Sequence, residues 1–257
     1  MSLEALRARI RQIETRRETS RGAGGLCEQP GGVVLPFGVE GLDARLPGGG
    51  LGLGALHEIA GGGNGSVDGA AAALFAAGIA ARTQGRVLWC VARPDLFAPA
   101  LAQVGLGADR VIYVEAGDEQ AVLACFEEGL RHGGLGAVVA ELARLAMPAS
   151  RRLQLAAEAS GTLGLALRRW RRRAAAADFG QPTAAVTRWR VSALPSAPLP
   201  VPGVGRARWR IELLRCRAGE SAELELEACD DAGRLALPSD LVHGPGQKEA
   251  APHSASA

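Results

Sequence analysis

Short apolar runs alternate with helix-like patterns from residue 36 onward, and glycine-rich turns separate them. Five strands are predicted over residues 55–60, 86–91, 110–115, 136–140 and 162–168. The helical spacing of apolar positions predicts four helices between them, over residues 66–82, 97–104, 119–131 and 151–159. Strands that alternate with crossover helices form a parallel sheet with helices on its faces. We therefore expect an α/β fold with a mostly parallel twisted sheet flanked by helices.

The pattern changes after residue 184, where alternating apolar and polar positions predict strands without helices between them. These strands are predicted over residues 185–193, 209–217 and 223–229, with a short return over residues 234–237. Residues 218–221 form a turn between two alternating runs, which indicates a hairpin, and the proline-dense residues 194–204 indicate a loop. We expect antiparallel C-terminal strands added to the parallel sheet.

The first twenty residues carry a narrow apolar stripe of Leu3, Leu6, Ile10 and Ile13 among charged positions, which predicts an amphipathic N-terminal helix. Glycine-rich residues 21–35 are predicted to be a flexible linker, residues 36–243 the main domain, and residues 244–257 a disordered tail. The stripe either docks on a neighbouring protein, such as a second copy of this chain, or packs on its own domain.

The composition of the chain limits the kinds of ligand site that we expect. The net charge is only +2 and Lys248 is the one lysine, so affinity for nucleic acid has to come from local clusters of arginine. The five cysteines lack the paired spacing of a zinc or redox site, which favours a reducing cytoplasm, and the histidines lack metal-ligand spacing. The longest apolar run, residues 70–81, is too short to cross a bilayer. We expect a cytoplasmic protein without a metal.

A predicted strand, a glycine-rich loop and a helix follow one another at residues 55–82, which is the layout that presents backbone N–H groups to phosphate. A working loop also needs a lysine for the β and γ phosphates and a hydroxyl for magnesium. Val67 or Asp68 stands where the lysine would be, and Glu141 is one position away from where a magnesium carboxylate would stand. The loop is therefore degenerate, and it either forms a simple turn or retains some nucleotide binding. Its residues are Gly61, Gly62, Gly63, Asn64, Gly65, Ser66 and Val67. We expect no cofactor and no catalytic residue.

Over most of residues 36–240 the chain resembles the RecA superfamily. The likeness is carried by GLDARLPGGGL at residues 41–51, EIAG at residues 58–61 and the run over residues 101–122. It departs at the loop lysine and at residues 92–95, where RecA carries a glutamate that activates water. The resemblance implies a RecA-like fold without the catalytic groups.

Within that superfamily the chain resembles the ImuA family of damage-inducible mutagenesis proteins. Residues 150–158, 187–191, 208–217 and 233–238 carry this likeness. It implies an accessory, non-enzymatic role in damage-induced (SOS) translesion synthesis, beside an ImuB-like polymerase homologue and an error-prone C-family DNA polymerase. RecA and single-stranded DNA are further candidate partners.

An arginine-rich segment follows the strand predicted at residues 162–168. In a RecA-like fold this position resembles a mobile loop that contacts single-stranded DNA, where arginines bind phosphates and aromatic rings stack on bases. The same segment is equally compatible with a helix end whose tryptophan is buried, or with a surface that binds an acidic partner. The candidate nucleic-acid or partner-binding residues are Arg168, Arg169, Trp170, Arg171, Arg172, Arg173 and Phe179.

Two other functions remain open at this level. One is a RecA-like DNA-dependent ATPase with an atypical loop, which the missing lysine disfavours. The other is a SulA-like cell-division inhibitor, since proteins of that kind resemble RecA without a phosphate loop. The predicted N-terminal helix and the arginine-rich segment favour the ImuA-like role over the SulA-like one.

Overall fold

The computed structural model describes residues 27–29, 32–63, 65–169, 179–197, 199 and 202–238. The strands are β1 (Cys27–Gln29), β2 (Gly32–Leu35), β3 (Leu51–Gly52), β4 (Leu56–Gly61), β5 (Val87–Val91), β6 (Val111–Glu115), β7 (Ala137–Leu142), β8 (Leu163–Arg168), β9 (Thr187–Leu194), β10 (Arg208–Cys216) and β11 (Ala222–Glu227). The α-helices are α1 (Glu40–Asp43), α2 (Ser66–Ala81), α3 (Ala98–Gln103), α4 (Glu119–His132) and α5 (Met147–Ser160), and Pro47–Gly49 and Ala108–Arg110 form single 3₁₀ turns.

Eight strands form the main sheet in the order β11-β10-β9-β4-β8-β7-β5-β6. The six strands from β9 to β6 are parallel, whereas β10 pairs antiparallel with both β9 and β11. The predicted mostly parallel sheet with antiparallel C-terminal strands is confirmed. The predicted return over residues 234–237 is a single antiparallel bridge from Glu227 to Ala236.

A small second sheet precedes the main one and was not predicted. Here β2 pairs antiparallel with β1 and with β3, so residues 27–29 and 32–35 are paired strands within the stretch expected to be a flexible linker. The reason is the apolar run that ends β2: Val34 and Leu35 are buried, and Leu35 joins the core beneath α2. The predicted N-terminal helix with Leu3, Leu6, Ile10 and Ile13 and the predicted tail over residues 244–257 lie outside the described residues.

The core lies on both faces of the sheet. On one face α2 packs through Phe75 against Trp189 and Trp209, with ring centroids 5.8 and 6.4 Å away. On the other face Phe126 of α4 joins the apolar side chains of α5 and β7. Because both faces are covered, the central strands are apolar on both sides, as the continuous hydrophobic runs predicted.

Among the described residues, none of the helices combines the length and the apolar character needed to cross a membrane. Four cysteines, Cys90, Cys125, Cys216 and Cys229, are free thiols. Burial raises the pKa of Cys90 and of Cys229 to about 12, so both remain protonated and unreactive at neutral pH.

A neutral histidine is buried in β4. The Nδ1 atom of His57 lies 2.7 Å from the Thr187 hydroxyl, and its Nε2 atom lies 2.9 Å from the carbonyl oxygen of Gly52. The Trp189 indole donates to the same hydroxyl at 2.6 Å, so Thr187 is oriented to donate its own proton to His57. Burial lowers the pKa of His57 to about 4, against a partial opposing effect of the Gly52 carbonyl.

Acid is therefore expected to destabilise the fold through His57. The unfolded histidine titrates near 6.5 and the folded one near 4, so its contribution is complete above pH 6.5 and is lost as the pH falls toward 4. Between pH 7 and pH 5 the loss amounts to about 2 kcal/mol. In urea unfolding, the His57→Gln variant should lack this part of the pH dependence, whereas His132→Gln, which changes an exposed side chain, should keep it. Equal pH dependence in wild type and His57→Gln would contradict the assignment.

Candidate functional site

The degenerate loop lies where β4 ends and α2 begins, at the carboxyl edge of the parallel strands. Gly61 is the last residue of β4, Ser66 the first of α2, and Asn64 lies outside the described residues. The Gly62 N–H donates to the carbonyl oxygen of Val191 at 2.8 Å, so the loop begins as an extension of the pairing between β4 and β9. A Cβ atom at Gly62 would collide with the Ser192 hydroxyl, which shows how closely the loop lies against β9.

The loop already contains an anion of its own. Asp68, in the first turn of α2, accepts a hydrogen bond from the Ala193 N–H at 2.9 Å. Its other carboxylate oxygen lies 2.5 Å from where a Cβ atom of Gly63 would stand, so the carboxylate is folded back against the loop. Val67, in the region where the lysine would be, is 65% exposed. A carboxylate at the helix N-terminus occupies the position where a phosphate would bind and repels it.

A second carboxylate of this edge is neutralised by an arginine. Glu141 on β7 accepts from the Trp89 indole at 3.1 Å and forms an ion pair with Arg169, which directly follows β8. Arg169 also pairs with Asp95 at 2.9 Å. Burial would lower the pKa of Arg169, but the charges and hydrogen bonds of Glu141 and Asp95 outweigh it and raise that pKa. Glu141 is thus held by a permanent cation at the edge of the sheet where a magnesium ligand was considered.

A third carboxylate is buried beside it in β4. Glu58 accepts from Arg168 at 2.6 Å, from the Thr183 hydroxyl at 2.7 Å, and from the Nε and Nη2 atoms of Arg188 at 3.0 and 2.9 Å. The ring of Phe179 lies under both guanidinium groups, with its centroid 5.9 and 5.1 Å from their central carbons. We call Glu58, Arg168, Arg188, Thr183 and Phe179 the Glu58 network. It ties the chain after residue 178 to three strands.

This network corrects two of the predicted binding residues. Arg168 has no exposed side-chain surface and also donates to the Ala143 carbonyl at 2.8 Å, so it has no path to a phosphate. Phe179 is 6% exposed and its ring is covered by guanidinium groups, so it is not placed to stack on a base. Arg169 is one-third exposed but committed to two carboxylates. The remaining members, Trp170, Arg171, Arg172 and Arg173, lie outside the described residues.

Three other arginines were missed. Arg93 follows β5, Arg144 follows β7, and Arg151 lies in the second turn of α5, which begins after β7. All three are exposed, and none of their guanidinium groups has an ion pair or hydrogen-bond partner within the part of the chain that the structure describes. Because β8, β7 and β5 are parallel neighbours, the topology places these arginines at the same carboxyl edge as the end of β8. Two of them could have been found from the sequence, because Arg93 and Arg144 each lie two residues after the end of an apolar strand.

No family model matches the chain. Two curated relatives are similar to it: Protein ImuA of Caulobacter vibrioides strain NA1000 / CB15N and Protein ImuA of strain ATCC 19089 / CIP 103742 / CB 15. Each is 41% identical over 219 residues, which cover 81% of this chain and 88% of the relative. Among solved structures, the crystal structure of the RadB recombinase matches 80% of this chain and all of its own, with a TM-score of 0.54 and 15% identity. That likeness shows the fold, which is RecA-like.

Proposed function

The chain belongs to the ImuA family, and we propose that it is a non-catalytic accessory protein of damage-induced (SOS) mutagenesis, acting in translesion synthesis by binding rather than by turning over nucleotide. The observation that carries the non-catalytic part is the state of the carboxyl edge. Four carboxylates near this edge are held by the chain itself: Asp68 by a backbone N–H, and Glu58, Glu141 and Asp95 by arginines. None of these four is free to bind Mg²⁺, and the loop sequence has no lysine for the phosphates of ATP.

What the edge does offer is positive charge. Arg93, Arg144 and Arg151 are exposed and unpaired within the described ranges, and residues 171–173 of the sequence add three more arginines between Arg169 and Phe179. Arginines on one edge suit a phosphate backbone, and contacts of this kind do not depend on base sequence. We assign single-stranded DNA to this surface.

The protein partners follow from the family. We propose that an ImuB-like polymerase homologue and an error-prone C-family polymerase bind elsewhere on the chain, and that the N-terminal helix with Leu3, Leu6, Ile10 and Ile13 docks on RecA or on a second copy. Purification of the tagged chain from DNA-damaged cells tests this set. Recovery of division proteins in place of polymerase subunits would contradict it.

Replacing Arg93, Arg144 and Arg151 with alanine is expected to weaken single-stranded DNA binding. Loss of three phosphate contacts should reduce the slope of log K against log salt by about 2. Binding of labelled oligo(dT) by fluorescence anisotropy at several salt concentrations measures the slope. Replacing Arg171, Arg172 and Arg173 should flatten it in the same way.

The matched control removes three charges from the opposite edge of the sheet, with Arg86, Arg131 and Arg217 replaced by alanine. It should leave the slope unchanged. In cells that lack their own copy of the gene, wild type and the control should restore damage-induced mutation, whereas the Arg93, Arg144 and Arg151 variant should not. An unchanged slope in that variant would place DNA elsewhere, and normal induced mutation without the gene would contradict the accessory role.

A further inference from the structure

A cavity of about 580 Å³ opens at the amino edge of the sheet, opposite the degenerate loop. It lies beyond the C-terminus of α2, beside the segments that lead into β5 and β6. Three arginines line it, Arg82, Arg110 and Arg234, and apolar side chains such as Leu35 and Pro36 form part of the wall. A volume of this size is typical of a small-ligand site.

None of these three arginines forms an ion pair in the described ranges. Arg110 donates to the carbonyl oxygens of Ala81, Thr83 and Gly85 at 2.5 to 3.0 Å, which holds its guanidinium at the cavity wall. Arg234 is exposed, and no contact of its side chain with a carboxylate is present among the described residues. By contrast, ten other arginines, such as Arg45 and Arg206, pair with glutamate or aspartate.

Arg82 is the most buried of the three. One terminal nitrogen donates to the Pro36 carbonyl at 2.6 Å, and the guanidinium lies 5.5 Å from the Phe37 ring centroid. Its Nε and Nη2 atoms are buried without any hydrogen-bond partner. Burial lowers the pKa of Arg82, which shows that this charge has lost solvation without an adequate counter-charge. A buried cation with unsatisfied N–H groups costs free energy. Its presence therefore indicates that a bound ligand accepts these hydrogen bonds.

The nearest carboxylates are already occupied. Asp43 accepts from the N–H groups of Phe37 and Gly38 at 2.7 and 2.8 Å. Asp230 accepts from the N–H groups of Ala232 and Arg234 at 3.0 and 2.8 Å. These two acids hydrogen-bond to the loops around the cavity and form no direct ion pair with its arginines, so Arg82 and Arg234 keep N–H groups for an external anion, whereas Arg110 is mostly engaged with carbonyl oxygens.

We propose that this cavity binds an aspartate or glutamate side chain of a partner peptide, with an apolar residue beside it. Charge complementarity selects the carboxylate, because guanidinium groups pair best with planar anions. The apolar wall selects a neighbouring hydrophobic side chain. The charges of Asp43 and Asp230 act on Arg82, and they would repel the successive phosphates of a nucleic-acid strand more than a single carboxylate. The site is independent of the DNA surface, which lies at the other edge of the sheet.

Selection from a random heptapeptide library displayed on phage, with the full chain as target, tests the proposal. Selected peptides should carry Asp or Glu next to Leu, Ile, Met or Phe. A synthetic selected peptide should bind the Arg234→Ala variant about tenfold more weakly than wild type, since one charge-assisted contact is lost. Arg86→Ala, which removes an exposed arginine from the same edge outside the cavity, should leave affinity within about twofold.

Replacing the peptide's acid with its amide should cause the same loss as Arg234→Ala. Selection without enrichment of acidic residues, or equal binding by Arg234→Ala and wild type, would overturn the proposal. Displacement of the peptide by oligo(dT) at low salt would assign the arginines to nucleic acid and overturn it as well.

Discussion

Replacing Glu58 with glutamine is expected to lower the free energy of unfolding by about 3–5 kcal/mol. Glu58 is fully buried, and its carboxylate forms ion pairs with both Arg168 and Arg188. An amide keeps the shape but removes the charge, so both guanidinium groups lose the attraction of the Glu58 carboxylate in the protein interior. Urea unfolding at neutral pH, followed by tryptophan fluorescence, measures the difference.

Glu225→Gln is the matched control. Glu225 pairs with Arg210 at 3.1 Å on the surface, where both side chains are more than 40% exposed, so its loss should cost under about 1 kcal/mol. A third variant with Glu58→Leu, Arg168→Met and Arg188→Met should recover most of the stability lost in Glu58→Gln, because it removes the whole set of buried charges. Equal stabilities of Glu58→Gln and Glu225→Gln would show that the Glu58 network is hydrated and contributes little.

Replacing Leu6 and Ile10 with aspartate is expected to abolish association with RecA or with a second copy of the chain. An isolated helix of this length is marginal in water, so its apolar stripe needs a surface to pack on. Two aspartates on that stripe remove the apolar contact, and burying their charges in an interface costs free energy that opposes association. Analytical ultracentrifugation of the chain alone and with RecA measures the loss.

The melting temperature separates the two interpretations of this helix. Docking on a neighbour predicts a nearly unchanged melting temperature of the monomer in the double variant. Replacing Leu3 and Ile13 with aspartate should also abolish association. Aspartate at Arg9, which lies outside the stripe, should leave association intact. A loss of several kcal/mol in the monomer would show instead that the helix packs on its own domain.

The alternation of strands and helices was predictable because each element has enough length to show its own period. The strand predicted at residues 55–60 is shifted by one residue from β4, and the strand predicted at residues 162–168 begins one residue before β8. The hairpin of β1 and β2 was missed because three and four residues are too few to show a period, and the glycines around them also fit a linker. The hairpin is stabilised by a tertiary contact, the packing of Leu35 in the core, which the local sequence does not reveal.

The site was only partly predictable, for a different reason. Loss of the loop lysine is local, and so it is visible in the sequence. The Glu58 network joins residues 110 and 130 positions apart, which no local pattern reveals. The run at residues 168–173 suggested a continuous binding surface, but Arg168 still belongs to β8 and faces Glu58, while Arg169 faces Glu141. A charged residue inside the apolar strand β4 was the one signal of a buried ion pair.

The central claim is that this RecA-like chain works without turning over nucleotide, and DNA-stimulated ATP hydrolysis tests it most directly. Phosphate release by the purified chain should equal that of buffer, with or without oligo(dT), because the loop lacks the lysine and holds the Asp68 carboxylate in its place. A Gly61→Val variant, whose side chain would clash with the α2 backbone at Asp68 and Gly69 and so displace the loop, identifies any contaminating activity. Hydrolysis that rises with oligo(dT) to the rate of an ordinary RecA-like ATPase, and disappears in Gly61→Val, would contradict the claim.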